Sequence, residues 1–121
     1  MSRAGGLFHV KQVHSHYIEL VQQGPSGLFS RGDLARLADH VTDGVTGAAV
    51  VADLAPTTVV DIGSGGGVPG LQLAIELPDA TTHLVESQGW KAEFLLTCAR
   101  ALDLESRLSV HAIRAEEAPA H

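Results

Sequence analysis

Five glycines stand within eight residues of this chain, directly after a short run of β-branched apolar residues. The run Val59–Ile62 contains one acid, Asp61, and the glycine-rich segment Gly63–Gly70 follows it at once. Glycine has no Cβ and tolerates positive φ angles, so a backbone built from it can approach a ligand closely. A helical pattern resumes at Leu71, and a helix N-terminus presents unpaired N–H groups to lone pairs or negative charge. The segment therefore predicts a small-molecule site.

The spacing of the glycines discriminates between classes of ligand. A dinucleotide-binding turn has Gly-x-Gly-x-x-Gly after its strand, but here Val68 occupies the position of the third glycine. A Walker phosphate loop needs Gly-Lys-Ser/Thr, which does not follow. The spacing that fits is Asp-x-Gly-x-Gly-x-Gly, formed by Asp61, Gly63, Gly65 and Gly67. It resembles the pattern with which class I methyltransferases bind S-adenosylmethionine.

Two further segments lie where such a site needs them. Glu86 ends the second predicted strand, 25 residues after Asp61, and a carboxylate can accept hydrogen bonds from both hydroxyls of an adenosine ribose. Arg114–Glu117 follows the third predicted strand, where backbone groups and an acid could meet the adenine edge. Structural roles stay open for these residues: a buried capping acid at Asp61, an exposed strand end at Glu86 and a solvated turn at Glu116.

Helical and extended patterns alternate along the second half of the chain. Apolar spacing predicts helices over Phe8–Gln23, after Ser30 to Ala52, to about Leu77 behind the glycines, and over Trp90–Leu102. Strands are predicted at Thr57–Ile62, Thr81–Val85 and Leu108–Ile113. We expect Ser30 or Asp33 to cap the second helix, and Gly44 and Gly47 to weaken it and split it in two. Alternation of this kind predicts an α/β fold with βαβ units and a parallel sheet.

Length and composition exclude several classes of protein. With 121 residues the chain is one domain at most, divided into an N-terminal helical segment, 1–55, and a βαβαβ segment, 56–121. The net charge of −6 argues against a free-standing basic nucleic-acid module, although a local patch or a longer parent protein could still supply RNA contacts. Cys98 has no partner for a disulfide and no apolar run approaches roughly 20 residues, so we expect a cytoplasmic protein without membrane contact.

Histidines and the cysteine predict structural rather than chemical roles. The three histidines of the first helix do not share one helix face, so we expect them to be surface residues and not metal ligands: His9, His14 and His16. Cys98 falls on the apolar stripe of its helix and predicts core packing.

The glycine-rich segment resembles one family in particular. Val60–Gly70 is similar to the signature of the small-subunit rRNA methyltransferase G family, also called glucose-inhibited division protein B, and the pair Pro69-Gly70 narrows the resemblance to it. Further similarities are Glu86-Ser87 followed by Gly89, Phe94-Leu95, Arg114–Glu117 and, more faintly, His40-Val41 with Asp43. The resemblance covers about Leu34–Ala118.

The resemblance implies a Rossmann-like class I methyltransferase fold, of which this chain is the N-terminal portion: parallel strands with flanking helices, preceded by two helices. It implies methyl transfer from S-adenosylmethionine to N7 of a guanine in 16S rRNA. Since guanine N7 carries a lone pair and no proton, no general base is needed, and no catalytic residue is predicted. Spacing and resemblance together predict these cofactor-binding residues: Asp61, Gly63, Ser64, Gly65, Gly67, Val68, Glu86, Ser87, Ala115 and Glu116.

The sequence departs from the family pattern at positions that bear on RNA. A basic pair after Gly89 is replaced by Trp90-Lys91, an Asn-rich segment by Gly24–Phe29, and an Arg beside His40 by Asp39. The cations predicted to contact RNA are Lys91 and Arg114.

A second interpretation stays open because a class I sheet has seven strands and about three are predicted here. The chain would then be a non-catalytic S-adenosylmethionine-binding or interaction module that completes its sheet with a homodimer partner or another chain, at an open edge close to the third strand. A dinucleotide oxidoreductase is the third interpretation, and Val68 argues against it.

Overall fold

Helices come first in the structure, and a small parallel sheet with crossover helices follows them. The computed structural model describes residues 3–117, with side chains from 9 to 116. The elements are α1 (Arg3–Gln23), α2 (Arg31–Ala35), α3 (Leu37–Ala52), β1 (Thr58–Ile62), α4 (Gly70–Glu76), β2 (Thr81–Val85), α5 (Gly89–Ala101), β3 (Leu108–His111) and a 3₁₀ turn, Ala115–Glu117. The predicted order of helices and strands is therefore confirmed. No helix within residues 3–117 is long and apolar enough to cross a membrane.

The three strands are parallel and follow the chain order β1-β2-β3. Asp61 of β1 lies beside Leu84 of β2, and Val85 lies beside His111 of β3. This register brings the carboxyl ends of all three strands to one edge of the sheet, as the sequence predicted. Ligands of open α/β folds bind at this edge.

A single apolar cluster joins the sheet to the helices on one of its faces. Helix α4 packs on β2 and α5 on β3, while α1 and α3 pack against α4. The fully buried side chains Tyr17, Leu71, Leu84 and Leu95 come from α1, α4, β2 and α5. The N-terminal helices thus form a layer outside α4, and they share one core with the sheet.

The predicted split of the second helix at its glycines is wrong. The break falls at Arg36, between α2 and α3, whereas Gly44 lies inside a continuous α3. A Cβ at Gly44 would stand 3.2 Å from the Cγ atom of Gln72, so glycine there allows α3 to approach α4 closely. The predicted cap is confirmed, because the Ser30 hydroxyl accepts the N–H of Asp33 at 3.1 Å.

Of the two predictions about side-chain burial, one is confirmed and the other is wrong. Cys98 is fully buried as predicted, and burial raises the pKa of its thiol to about 12. The expectation that His14 lies at the surface is wrong, since only 9% of it is exposed. Its Nε2 atom lies 3.7 Å from a carboxylate oxygen of Glu76 at the end of α4.

Helix α1 also begins earlier than predicted, at Arg3, and β3 ends at His111 rather than Ile113.

Candidate functional site

The glycine loop between β1 and α4 has a backbone conformation that explains its alternating spacing. Gly63, Gly65 and Gly67 have φ angles of +75°, +55° and +106°. These values lie in the left-handed region, which costs an L-residue with a Cβ about 1–2 kcal/mol. Every second residue of the loop therefore has to be glycine for conformational reasons, and these are the three positions that the sequence pattern selected.

The end of β2 anchors the first half of the glycine loop. The carbonyl of Val85 accepts the N–H of Gly63 at 2.8 Å and that of Ser64 at 3.1 Å. The Ser64 hydroxyl donates to the carbonyl of Asp61 at 3.0 Å, and the Ser64 carbonyl accepts the N–H of Gly67 at 2.8 Å. Ser64, predicted to bind the cofactor, is almost completely buried and closes the turn from within.

Glu86 connects the glycine loop to the start of α5. One carboxylate oxygen accepts the N–H of Gly65 at 2.7 Å, and the other accepts the N–H of Gln88 at 2.9 Å. The side chain is only 6% exposed, so these charge-assisted bonds replace its hydration. A carboxylate has about four lone-pair directions, and therefore each oxygen retains capacity for a ligand hydroxyl. The structure brings Glu86 and the glycine loop together as the sequence predicted.

Asp61 lies on the helix-covered face of the sheet, beneath the first residue of α4. A Cβ on Gly70 would collide with its Oδ2 atom and with Leu84, so glycine is needed where α4 begins. The buried Oδ2 atom has no hydrogen-bond partner among the described residues. Burial raises the pKa of Asp61, and Ser64 opposes the shift. Asp61 thus has a buried carboxylate oxygen, as the structural interpretation expected, but this Oδ2 atom caps no N–H group among the described residues.

Helix α1 and the connection that follows it hold the glycine loop from its outer side, a feature that was not predicted from the sequence. The Tyr17 hydroxyl donates to the carbonyl of Gly66 at 2.6 Å, and burial raises the pKa of this phenol. The ring of Phe29 occupies the space that a Cβ on Gly66 would need. Tyr17 stood on the apolar stripe of α1, but nothing in the local sequence identified the loop as its partner.

Two adjoining clefts open on the outer side of Val68, the residue that follows the last loop glycine. One has a volume of about 200 Å³ and is lined by Phe29, Asp33, His40 and Val68. The other, of about 390 Å³, also has His40 and Val68 in its wall, together with Pro69. The His40 Nε2 atom lies 3.2 Å from a carboxylate oxygen of Asp33. Polar and apolar groups thus line open space beside the loop.

The remaining predicted residues lie at the same edge of the sheet but make no tight cluster with the loop. Ser87 is exposed beside Glu86, and Ala115 and Glu116 are exposed in the 3₁₀ turn after β3. A guanidinium nitrogen of Arg114 lies 3.9 Å from the Glu116 carboxylate, and both side chains are largely exposed. The Lys91 ammonium lies 5.5 Å from the centre of the Trp90 ring, in the first turn of α5.

Two solved structures with similar folds were found, one of which is a methyltransferase by its title. A "putative O-methyltransferase" from Klebsiella pneumoniae superposes with a TM-score of 0.65 over 87% of this chain and 44% of its own, at 18% identity. P. horikoshii TYW2 in complex with MeSAdo gives a TM-score of 0.50 over 54% of this chain and 24% of its own, at 23% identity. At these identities the likeness establishes the fold, which is the Rossmann-like class I methyltransferase fold predicted from the sequence.

Sequence relatives share one name. The Ribosomal RNA small subunit methyltransferase G of Rhizobium etli is 54% identical over 68 residues, which are 54% of this chain and 32% of that protein. The protein of the same name from Granulibacter bethesdensis is 45% identical over 91 residues, 74% of this chain and 41% of its own length. The chain thus spans less than half of either relative. A family model for rRNA small subunit methyltransferase G matches residues 11–121, and the chain belongs to this GidB family.

Proposed function

We propose that this chain is the S-adenosylmethionine-binding portion of an rRNA methyltransferase that acts on N7 of a guanine in 16S rRNA. The observation that carries the proposal is the glycine loop with three left-handed residues, tied to the buried carboxylate of Glu86 at the carboxyl edge of a parallel sheet. Family membership supports the reaction class and the rRNA substrate.

The loop fits a cofactor because part of its backbone faces open space. A Cβ at Gly63 would meet nothing within 4 Å, and one at Gly65 would meet only the Gly63 carbonyl, at 3.9 Å. A ligand can therefore approach the backbone of both residues. Beside them Glu86 offers a carboxylate to the ribose hydroxyls, with Ala115 and Glu116 farther along the edge for the adenine. The complex of the similarly folded TYW2 with MeSAdo supports a ligand of this kind.

The residues of this chain contribute binding and orientation. When bound, S-adenosylmethionine supplies a methyl group that its sulfonium already activates. The loop and Glu86 fix the nucleoside part, and thereby the direction in which the methyl group points. Guanine N7 has a free lone pair and no proton to lose, so this chemistry needs no base from the protein. Holding two reactants in line is the catalytic contribution, and correct geometry alone can supply about 7–11 kcal/mol of a barrier.

The RNA side of the proposal involves the outer face of the loop and two cations. The clefts beside Val68 provide space for a base next to the glycine loop, with the Phe29 ring and His40 in their walls. Lys91 lies over the Trp90 ring, which is 43% exposed and can stack on a base, and Arg114 extends from the same sheet edge. Action on ribosomal RNA implies a cytoplasmic location.

Calorimetric titration of the chain tests the cofactor. We expect S-adenosylmethionine and its demethylated product to bind, while NADH does not. Gly65→Val places a β-branched side chain at φ +55° in the open part of the glycine loop and is expected to abolish binding of S-adenosylmethionine. Gly32→Val, in α2, makes the same change where a Cβ meets nothing within 4 Å, and this matched control should leave the affinity unchanged. Binding of NADH alone, or unchanged affinity in Gly65→Val, contradicts the proposal.

Radiolabelled methyl transfer to 30S subunits tests the reaction. Incorporation at a guanine N7, mapped by cleavage at the modified base, supports the activity and excludes a purely binding module. Lys91→Ala and Arg114→Ala should each weaken RNA binding and reduce its salt slope by about one unit. Incorporation at another atom or base refutes the guanine N7 assignment.

The open edge of β1 favours a second candidate, an interaction module completed by another chain. Within residues 3–117, β1 pairs only with β2, and its side chains Val60 and Ile62 are 41% and 55% exposed. An exposed strand with apolar residues is a template for pairing. Light scattering should then detect a dimer that Ile62→Lys dissociates. A folded monomer at all concentrations excludes the homodimer.

A further inference from the structure

A separate cavity lies between α1 and α3, and its lining has no residue in common with the glycine loop. We call it the α1–α3 cleft; Val10, His14, Ile18, Val41, Val45 and Glu76 line it. Its volume is about 460 Å³, within the range of about 300–1,000 Å³ that is typical of small-molecule sites. Aliphatic side chains of two helices form most of its wall, and His14 lies beside Glu76 at the end of α4.

His14 is the polar side chain that distinguishes this cleft from a packing gap. Only 9% of the residue is exposed, and neither ring nitrogen has a hydrogen-bond partner among the described residues. Its Nε2 atom lies 3.7 Å from the Glu76 carboxylate, which is too long for a hydrogen bond. A buried imidazole nitrogen without a partner is unfavourable, so a ligand that offers a hydrogen bond gains affinity here.

The charges of the cleft favour a cation. Burial lowers the pKa of His14 and outweighs the opposing effect of Glu76, so the imidazole is neutral at pH 7. It therefore does not neutralise the Glu76 carboxylate, which is mostly buried. Lys11 is the other charged residue of the cleft, but it is exposed, and water screens its ammonium.

We propose that the α1–α3 cleft binds a small organic ammonium ion with an apolar body. The ammonium pairs with the Glu76 carboxylate, and the neighbouring imidazole, whose Nε2 atom is covered by protein atoms, turns to accept a second hydrogen bond from it. The hydrocarbon part contacts the aliphatic wall formed by Val10, Val41 and Val45. A neutral alcohol of the same shape satisfies His14 but not the charge of Glu76, and a carboxylate is repelled.

Three ligands of one shape test the proposal on the wild-type chain. Benzylamine, benzyl alcohol and benzoate are titrated at pH 7.5 while backbone amide shifts of α1 and α3 are recorded by NMR. We expect saturable shifts around His14 and Val45 with benzylamine, about tenfold weaker binding of benzyl alcohol, and no binding of benzoate. Equal affinities of the amine and the alcohol, or shifts that never saturate, overturn the proposal.

A matched pair of charge-neutralising variants assigns the preference to Glu76. Glu76→Gln keeps the shape of the side chain and should reduce the preference for benzylamine over benzyl alcohol to about twofold or less. Glu19→Gln makes the same charge change at an exposed position of α1 outside the cleft and should retain the full preference. Equal effects of both variants mean that only the net charge matters, which refutes the site. Should Glu76→Gln unfold, as judged by circular dichroism, the comparison of the three ligands on the wild-type chain decides.

Discussion

The glycine loop and helix α3 both contain glycines at short spacing, but the two segments use them for different reasons. In the loop the glycines adopt left-handed backbone angles, as at Gly67 with φ +106°. In α3 the backbone is an ordinary helix, and Gly44 is small because a side chain of α4 lies against it. Backbone conformation follows from local sequence, whereas a close contact depends on residues far along the chain. The loop was therefore predictable, and the role of Gly44 was not.

Gly67→Ala gives the largest expected effect and tests the loop side of this comparison. The new Cβ would stand 2.6 Å from a methyl carbon of Leu71, in addition to the cost of its φ angle. We expect a loss of about 3 kcal/mol in the free energy of unfolding, measured by urea denaturation. Gly63→Ala is the control, because its Cβ meets no atom within 4 Å and only the φ cost of about 1 kcal/mol applies. Equal losses of stability in the two variants would mean that Leu71 moves aside and relieves the crowding at Gly67.

Glu86→Gln tests whether the loop depends on a charged acceptor. The amide retains one oxygen, so its NH₂ group must face the N–H of Gly65 or of Gln88. We expect destabilisation by about 2 kcal/mol together with weaker S-adenosylmethionine binding in calorimetry. Glu93→Gln removes an exposed charge from the nearby helix α5 and should change neither quantity. Unchanged stability in Glu86→Gln would show that the carboxylate does not hold the loop.

Asp61→Asn should stabilise the protein, whereas Glu86→Gln destabilises it, because Oδ2 of the Asp61 carboxylate is buried without a hydrogen-bond partner in the described part of the chain. Burial raises the pKa of Asp61 in the folded state, so the folded chain binds the proton more tightly than the unfolded chain. Stability is consequently lost as pH rises from the unfolded value, about 4, through the folded pKa. We expect the variant to melt at a higher temperature than wild type at pH 7, and the difference to shrink towards pH 4. A pH-independent difference would exclude the charge as its cause.

Features encoded by neighbouring residues were predictable, and features that need a distant partner were not. Strand Thr81–Val85 was predicted with both of its bounds, because Pro78-Asp79 ends the preceding helix and Glu86 marks the strand end. The burial of His14 is an exception, since it was encoded locally but missed: His14 stands at helical spacing from Val10 and from the buried Tyr17.

The candidate site shows the same difference between features encoded by neighbouring residues and features that need a distant partner. The loop spacing and Glu86 were found from sequence, since conformation and strand ends are local properties. The hydrogen bond from Tyr17 to Gly66 crosses 49 residues and has no local signal. The break at Arg36 also lacks one, since neither glycine nor proline marks it.

Gly47→Ala and Gly44→Ala form a matched pair with the smallest expected effects, and they test the α3 side of the comparison. A Cβ at Gly47 meets nothing within 4 Å, so alanine should stabilise the protein by about 0.5–1 kcal/mol through helix propensity alone. At Gly44 the same gain is offset, because the Cβ would stand 3.2 Å from Gln72 and 3.3 Å from its amide oxygen. The side chain of Gln72 is fully buried and has little room to move, so the net effect should be zero or destabilising. Urea denaturation of both variants measures the difference. Equal stabilisation by both would mean that Gly44 is no tighter than Gly47, and that α3 and α4 do not need a glycine to approach each other.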